Sequence, residues 1–203
     1  MTIPRVDEAP VLEDYLNMKP NGRAQGRMAK VEGFTQYRPR DGEPATQRTE
    51  VYVGYDDKNF YAVFVAFDTE RSKIRARLTR RDDVFRDDRV SLTLDTYQDR
   101  RRAYSFLCNP LGVQSDLRYA EGGGGSPFNL SFDTLWKSQG QLTPEGYVVW
   151  MAIPFKSLRF SAAAKQTWGI YFSRSIPRVD ESAYWPRISS RISGRVNQAA
   201  TLV

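Results

Sequence analysis

The sequence predicts an all-β protein: an antiparallel two-sheet β-sandwich of the jelly-roll kind, made by residues 49–203, with an irregular N-terminal segment, residues 1–48, packed on it. Three observations carry this. From Thr49 the chain becomes a series of short runs rich in Val, Tyr, Phe and Thr, separated by Asp, Asn, Gly and Pro. Helical periodicity is nearly absent, so the crossover helices that a parallel sheet requires are missing. The chain of 203 residues is 40% hydrophobic and 13% aromatic, enough to build a real core in one domain.

The elements follow in order. The first 48 residues are rich in Pro, Gly and charge and hold one short helical candidate, Val11 to Met18. Thr49 to Asp56 alternates Val51, Val53 and Tyr55 on one face. After the turn Asp56-Asp57-Lys58-Asn59, Phe60 to Phe67 is apolar on both faces, as expected of a central strand closing a hairpin. Val90, Leu92 and Leu94 alternate with Ser91, Thr93 and Asp95, and Tyr104, Phe106 and Cys108 form the next buried stripe. Further strands are expected at Val113 to Tyr119, Asp133 to Ser138, Tyr147 to Ile153 and Trp168 to Phe172. Gly122 to Ser126 reads as a flexible loop by composition. Tyr55, Phe64, Leu92, Leu94, Phe106, Ile153 and Ile170 are the expected core.

Two absences constrain the chemistry. The chain has no histidine, and Cys108 is its only cysteine. A Ser/His/Asp or Cys/His nucleophile, a zinc site of Cys and His ligands and an intrachain disulfide are therefore excluded. Net charge is +6, from 30 basic and 24 acidic residues, and Arg71 to Arg89 is the densest basic stretch. That stretch also carries Glu70 at its edge with Asp82, Asp83, Asp87 and Asp88, so it reads as a salt-bridged surface and not as a specific nucleic-acid groove. No run approaches the ~18 apolar residues of a membrane helix, and MTIPRVDEAPVLED has no apolar signal core.

The acidic pairs Asp56/Asp57, Asp82/Asp83, Asp87/Asp88 and Asp95/Asp99 sit at expected strand ends. Oxygen-rich loops can hold calcium, and turn-forming or salt-bridged aspartates are the alternative. No spacing singles out a glycosidase pair. Among the aromatics, Trp168 alternates with Ile170 and Phe172 and reads as core, while Trp150 falls opposite Val149 and Met151. Phe85 and Trp185 fall outside strand patterns, near arginines and acids. Such rings either plug the sandwich ends or serve as platforms for a sugar, whose C–H face is apolar and whose edge is polar.

Four segments carry a resemblance: TEVYVGYDDKNFYAVFVAFD, LTRRDDVFRDDRVSLTLDTYQDRRRAYSFLCNPLGVQSD, FDTLWKSQGQLTPEGYVVWMAIPFKSLRF and TWGIYFSRSIPRVDESAYWP. Together, from about Val31 to Pro186, they resemble the carbohydrate-binding module family 9-like domain found at the N-terminus of large bacterial outer-membrane proteins. The resemblance implies a jelly roll with a sugar slot between two aromatics. Phe85 and Trp185 would be its walls and Arg102 and Arg174 its polar arms, with calcium as a structural ion. It further implies an extracytoplasmic protein that binds oligo- or polysaccharide in polysaccharide catabolism, beside an outer-membrane barrel or a companion hydrolase, without activity of its own. A structural or protein-interaction domain is the alternative.

Overall fold

The computed structural model describes residues 1–122 and 126–203, apart from the side chain of Arg23; Gly123, Gly124 and Gly125 of the glycine run lie outside the described residues. In chain order the strands are β1 (Ala29–Val31), β2 (Thr35–Arg38), β3 (Thr49–Tyr55), β4 (Asn59–Phe67), β5 (Arg89–Asp95), β6 (Arg102–Cys108) and β7 (Gln114–Ala120). They continue as β8 (Phe128–Asn129), β9 (Lys137–Thr143), β10 (Gly146–Pro154), β11 (Trp168–Ile176), β12 (Glu181–Trp185) and β13 (Ala200–Leu202). Two antiparallel sheets result. The smaller has the order β1-β3-β4-β10-β9, the larger β2-β12-β11-β5-β6-β7-β8, with β13 also paired to β11.

The core lies between the sheets. Phe64, Leu92, Leu94, Phe106, Ile153 and Ile170 are fully buried there; Tyr55, also expected in the core, is half-buried at one end. β4 is central in its sheet, which is why it is apolar on both faces. Phe60, Ala62, Phe64 and Ala66 point inward. Val63 and Val65 point outward and are covered by Leu12, Tyr15, Met18 and Ala24 of the N-terminal segment. Trp150 shares that outer side and donates its indole N–H to the Pro10 carbonyl at 2.8 Å.

Four local expectations need correction. Val11 to Met18 is not a helix; it holds one 3-10 turn, Leu12–Tyr15. The first 48 residues are not wholly irregular, since β1 pairs with β3 and β2 with β12, giving each sheet an edge strand. The strand expected at Asp133 to Ser138 begins at Lys137. Trp185 lies within a strand, at the end of β12, which pairs Phe172 with Trp185 and Ile176 with Glu181. Short polar strands of this kind are fixed by partners far away in sequence, which alternation alone does not display.

At one end of the sandwich a charge bridges the sheets. Arg174 of β11 turns inward and is almost fully buried. Its guanidinium donates to Asp68 Oδ2 at 3.1 Å, to the Phe67 carbonyl at 2.7 Å and to the Arg48 carbonyl at 3.2 Å, and it lies 5.2 Å from the centre of the Tyr147 ring. Arg178 adds a 2.7 Å bond to Asp68 Oδ1. At another contact between the sheets, the turn after β6 meets β9 so closely that a Cβ on Gly140 would lie 2.6 Å from the Pro110 carbonyl oxygen.

Two outcomes follow from this packing. Arg174→Met should destabilise the fold by about 3 kcal/mol or more, because Asp68 stays buried with only Arg178 to neutralise it; urea denaturation measures this. Cys108 is fully buried, and burial pushes its thiol up to about 12. A thiol reagent at neutral pH should therefore label Cys108 only after denaturation.

Candidate functional site

The outer face of the larger sheet is only partly covered. Because successive side chains alternate, the inward run of Ile170, Phe172 and Arg174 forces Tyr171, Ser173 and Ser175 outward. The same holds for Ser91 and Thr93 on β5 and for Ser182 and Tyr184 on β12. The hydroxyls pair across strands: Ser91 with Ser173 at 2.5 Å, Thr93 with Ser105 at 2.8 Å and Ser175 with Ser182 at 3.4 Å. They form the polar floor of a groove of about 460 Å³.

Aromatic rings and arginines wall this floor. Phe85, in the loop before β5, is 40% exposed, and Phe128 of β8 is 41% exposed. Both line the groove, with Tyr37 and Tyr184. The Arg195 guanidinium lies 5.0 Å from the Tyr37 ring centre and 5.8 Å from those of Phe128 and Tyr184. A register shift in the β2–β12 pairing sets Arg38 opposite Ser182 and Gln36 opposite Ala183, and the residue between them, Tyr37, lines the groove together with Arg38. Bulges commonly re-aim side chains in this way. Arg89 donates to the Phe85 carbonyl at 2.7 Å and lies 5.6 Å from the Phe85 ring. Burial lowers the Arg89 pKa, and repulsion from Arg38 acts in the same direction.

This arrangement can stack an apolar ring face and hydrogen-bond a polar edge. No Asp or Glu is among the described residues lining the groove, so it presents no carboxylate pair for acid–base work. A larger opening at another end, about 550 Å³, is lined by Ile3, Tyr55, Phe60, Phe155 and Trp168 and offers fewer polar partners.

The structure does not bring the four expected slot residues together. Phe85 lines the groove. Trp185 points to the opposite face of the sheet, into the core, where its ring lies 5.9 Å from that of Phe172. Arg174, one position along the same alternation, is spent on Asp68. Arg102 is exposed, ion-paired with Asp99 at 2.6 Å, and borders a separate cavity with Tyr97 and Arg118. The residues missed are Tyr37, Arg38, Arg89, Phe128, Tyr184 and Arg195. One signal was available: the hydroxyl residues that alternate with the core residues of β5, β11 and β12 mark a wet sheet face.

The acidic pairs have local duties. Asp56 accepts from the Lys58 and Asn59 amides, each at 2.7 Å, and Asp95 Oδ2 from the Arg100 amide at 2.7 Å. Asp87 pairs with Arg77, and Asp88 accepts from the Arg75 amide. Among the described residues no three acidic or cysteine side chains gather as a metal site.

No family model and no curated protein matches the sequence. Solved structures do match in fold. A proposed carbohydrate-binding protein from Bacteroides uniformis ATCC 8492 superposes with a TM-score of 0.71 at 13% identity, covering 100% of this chain and 97% of that one. A carbohydrate-binding module of family 9 from Caldicellulosiruptor kristjanssonii in complex with glucose gives 0.61 at 12% identity, covering 100% and 93%. The same organism's family 9 module in complex with cellotriose gives 0.57 at 13% identity, covering 100% and 92%. The chain has the family 9-like β-sandwich fold.

The face occupied by Trp185 makes a prediction. Trp185→Ala should cost about 3 kcal/mol in stability, as removal of a packed aromatic ring does, and should leave the groove and what it binds unaltered. Denaturant unfolding and a binding titration on the same variant check both halves.

Proposed function

We propose that this protein is a non-catalytic carbohydrate-binding module that holds an oligo- or polysaccharide on the outer groove of its larger sheet. The observation that carries the reading is the half-exposed pair Phe85 and Phe128, set with Tyr37 around a floor of paired hydroxyls. A sugar ring is apolar on its faces and polar at its edge, and this groove supplies a partner for each. The fold shared with family 9 modules that bind glucose and cellotriose supports it. The lack of lining carboxylates among the described residues supports binding without hydrolysis. The family resemblance supports an extracytoplasmic setting in polysaccharide catabolism, beside an outer-membrane barrel or a companion hydrolase.

Affinity should be modest, roughly micromolar to millimolar in Kd, because a short saccharide buries little area and surrenders well-hydrated hydroxyls. Phe85→Ala and Phe128→Ala should each weaken binding about tenfold, which is ~1.4 kcal/mol. Affinity electrophoresis against a panel of soluble polysaccharides, followed by calorimetric titration with the oligosaccharide that binds, tests this. If both ring variants bind like the wild type, the groove is not the site.

A further inference from the structure

The charge of the groove goes further than its shape. Three arginines, Arg38, Arg89 and Arg195, line it, and no acidic residue is among its described lining. Several arginines elsewhere are held by carboxylates: Arg77 by Asp87, Arg81 by Asp116, Arg102 by Asp99, and Arg174 and Arg178 by Asp68. Among the described residues, none of the three groove arginines has an ion-pair partner.

Two of them share one line across the sheet. The register sets Arg38 opposite Ser182, Ser182 opposite Ser175, and Ser175 opposite Arg89. Three strand spacings separate the two arginines, roughly 14 Å between Cα atoms, with two serine hydroxyls between them. The hydrogen bonds that Arg89 makes to the Phe85 and Asp87 carbonyls both come from Nη1, so Nε and Nη2 keep donors for a ligand. A guanidinium matches a planar carboxylate in two parallel hydrogen bonds.

We infer that the groove is built for an acidic saccharide, one whose sugar ring carries a uronate carboxylate that sits over Ser175 and Ser182 between Arg38 and Arg89. The inference rests on the saccharide-binding reading above and narrows it from sugars in general to uronate-bearing ones. Phe85 and Phe128 then hold the sugar faces, and the carboxylate supplies the ion-pair partner that the arginines lack among the described residues.

The test uses an uncharged twin of the ligand. Oligogalacturonides as free acids and as full methyl esters are titrated into the purified protein, alongside neutral cello-oligosaccharides, a sulfated oligosaccharide and a single-stranded DNA oligonucleotide. The free acid should bind at least about tenfold more tightly than its methyl ester, as loss of a charge-assisted hydrogen bond to each arginine requires. The preference should shrink as sodium chloride rises from about 0.05 to 0.5 M. Arg38→Gln and Arg89→Gln should each lower free-acid affinity about tenfold and leave the ester almost unchanged. Arg5→Gln removes the same charge from an exposed pair with Asp57 and should change nothing. Because Arg38 is exposed, its variant keeps the test sound even if the Arg89 variant unfolds.

Equal binding of acid and ester, or preference for cello-oligosaccharides, overturns the acidic inference and leaves saccharide binding standing. Preference for the sulfated sugar over the uronate overturns the carboxylate assignment. DNA binding as tight as the free acid at the same salt also overturns it, since the groove is then a general polyanion surface. If no saccharide of either charge binds, the saccharide reading itself falls.

Discussion

The structure turns on the inward arginine of β11. Arg174 is a charge in the interior, where an unpaired ion costs on the order of several kcal/mol, a large share of a domain's stability, so its guanidinium has to find anions and carbonyls. It finds Asp68 and the carbonyls of Phe67 and Arg48, at the adjoining ends of β4 and β3 in the opposite sheet, and so fixes how the two sheets meet at that end. The alternation of the strand then has no freedom left. With Arg174 inside, Ser173 and Ser175 are outside, and the polar floor of the groove is set by the same register that closes the core. A slip of one residue would bury those serines and expose Phe172 and Ile170.

Each sheet has an outer face, and their compositions decide their fates. On the smaller sheet, Tyr52, Val63, Val65 and Val148 would leave an apolar patch in water, and the N-terminal segment covers it with Leu12, Tyr15 and Met18. On the larger sheet the corresponding positions are hydroxyls that satisfy one another and remain compatible with water. Hydrophobic residues of two loops, Val84 and the pair Ile188 and Val196, cluster with Tyr171 and Tyr184 and cover part of that sheet. The wall rings Phe85 and Phe128 thus stand on loop and edge-strand backbone, where a ring can be exposed without loosening the core.

Much of the fold was legible because burial writes a period into a strand. Val90, Leu92 and Leu94 against Ser91, Thr93 and Asp95 gave β5 and its two faces, and the doubly apolar Phe60 to Phe67 gave the central strand. The candidate site was legible in one residue, Phe85. Trp185 was misread because its neighbours, Glu181, Ser182, Ala183 and Tyr184, show no apolar alternation: Glu181 is held inside by the Thr46 amide, and its burial depends on a residue 135 positions away. Arg174 was misread for the same reason, since an arginine within a strand looks exposed until its partner at Asp68 is known.

By itself the sequence determined the class of the fold, the inward and outward faces of the main strands and the chemistry that could not occur, because these depend on residue type and near spacing. An absent histidine is absent from any fold. Only the tertiary structure decided which arginines are structural and which are free, since that depends on pairing across sheets. Arg174 and Arg38 are the same residue type at strand positions, yet one faces Asp68 in the core and the other faces solvent beside Ser182. The groove exists only where strands from distant parts of the chain lie side by side, because a binding surface is a property of neighbours in space, and those are set by the packing of the sheets.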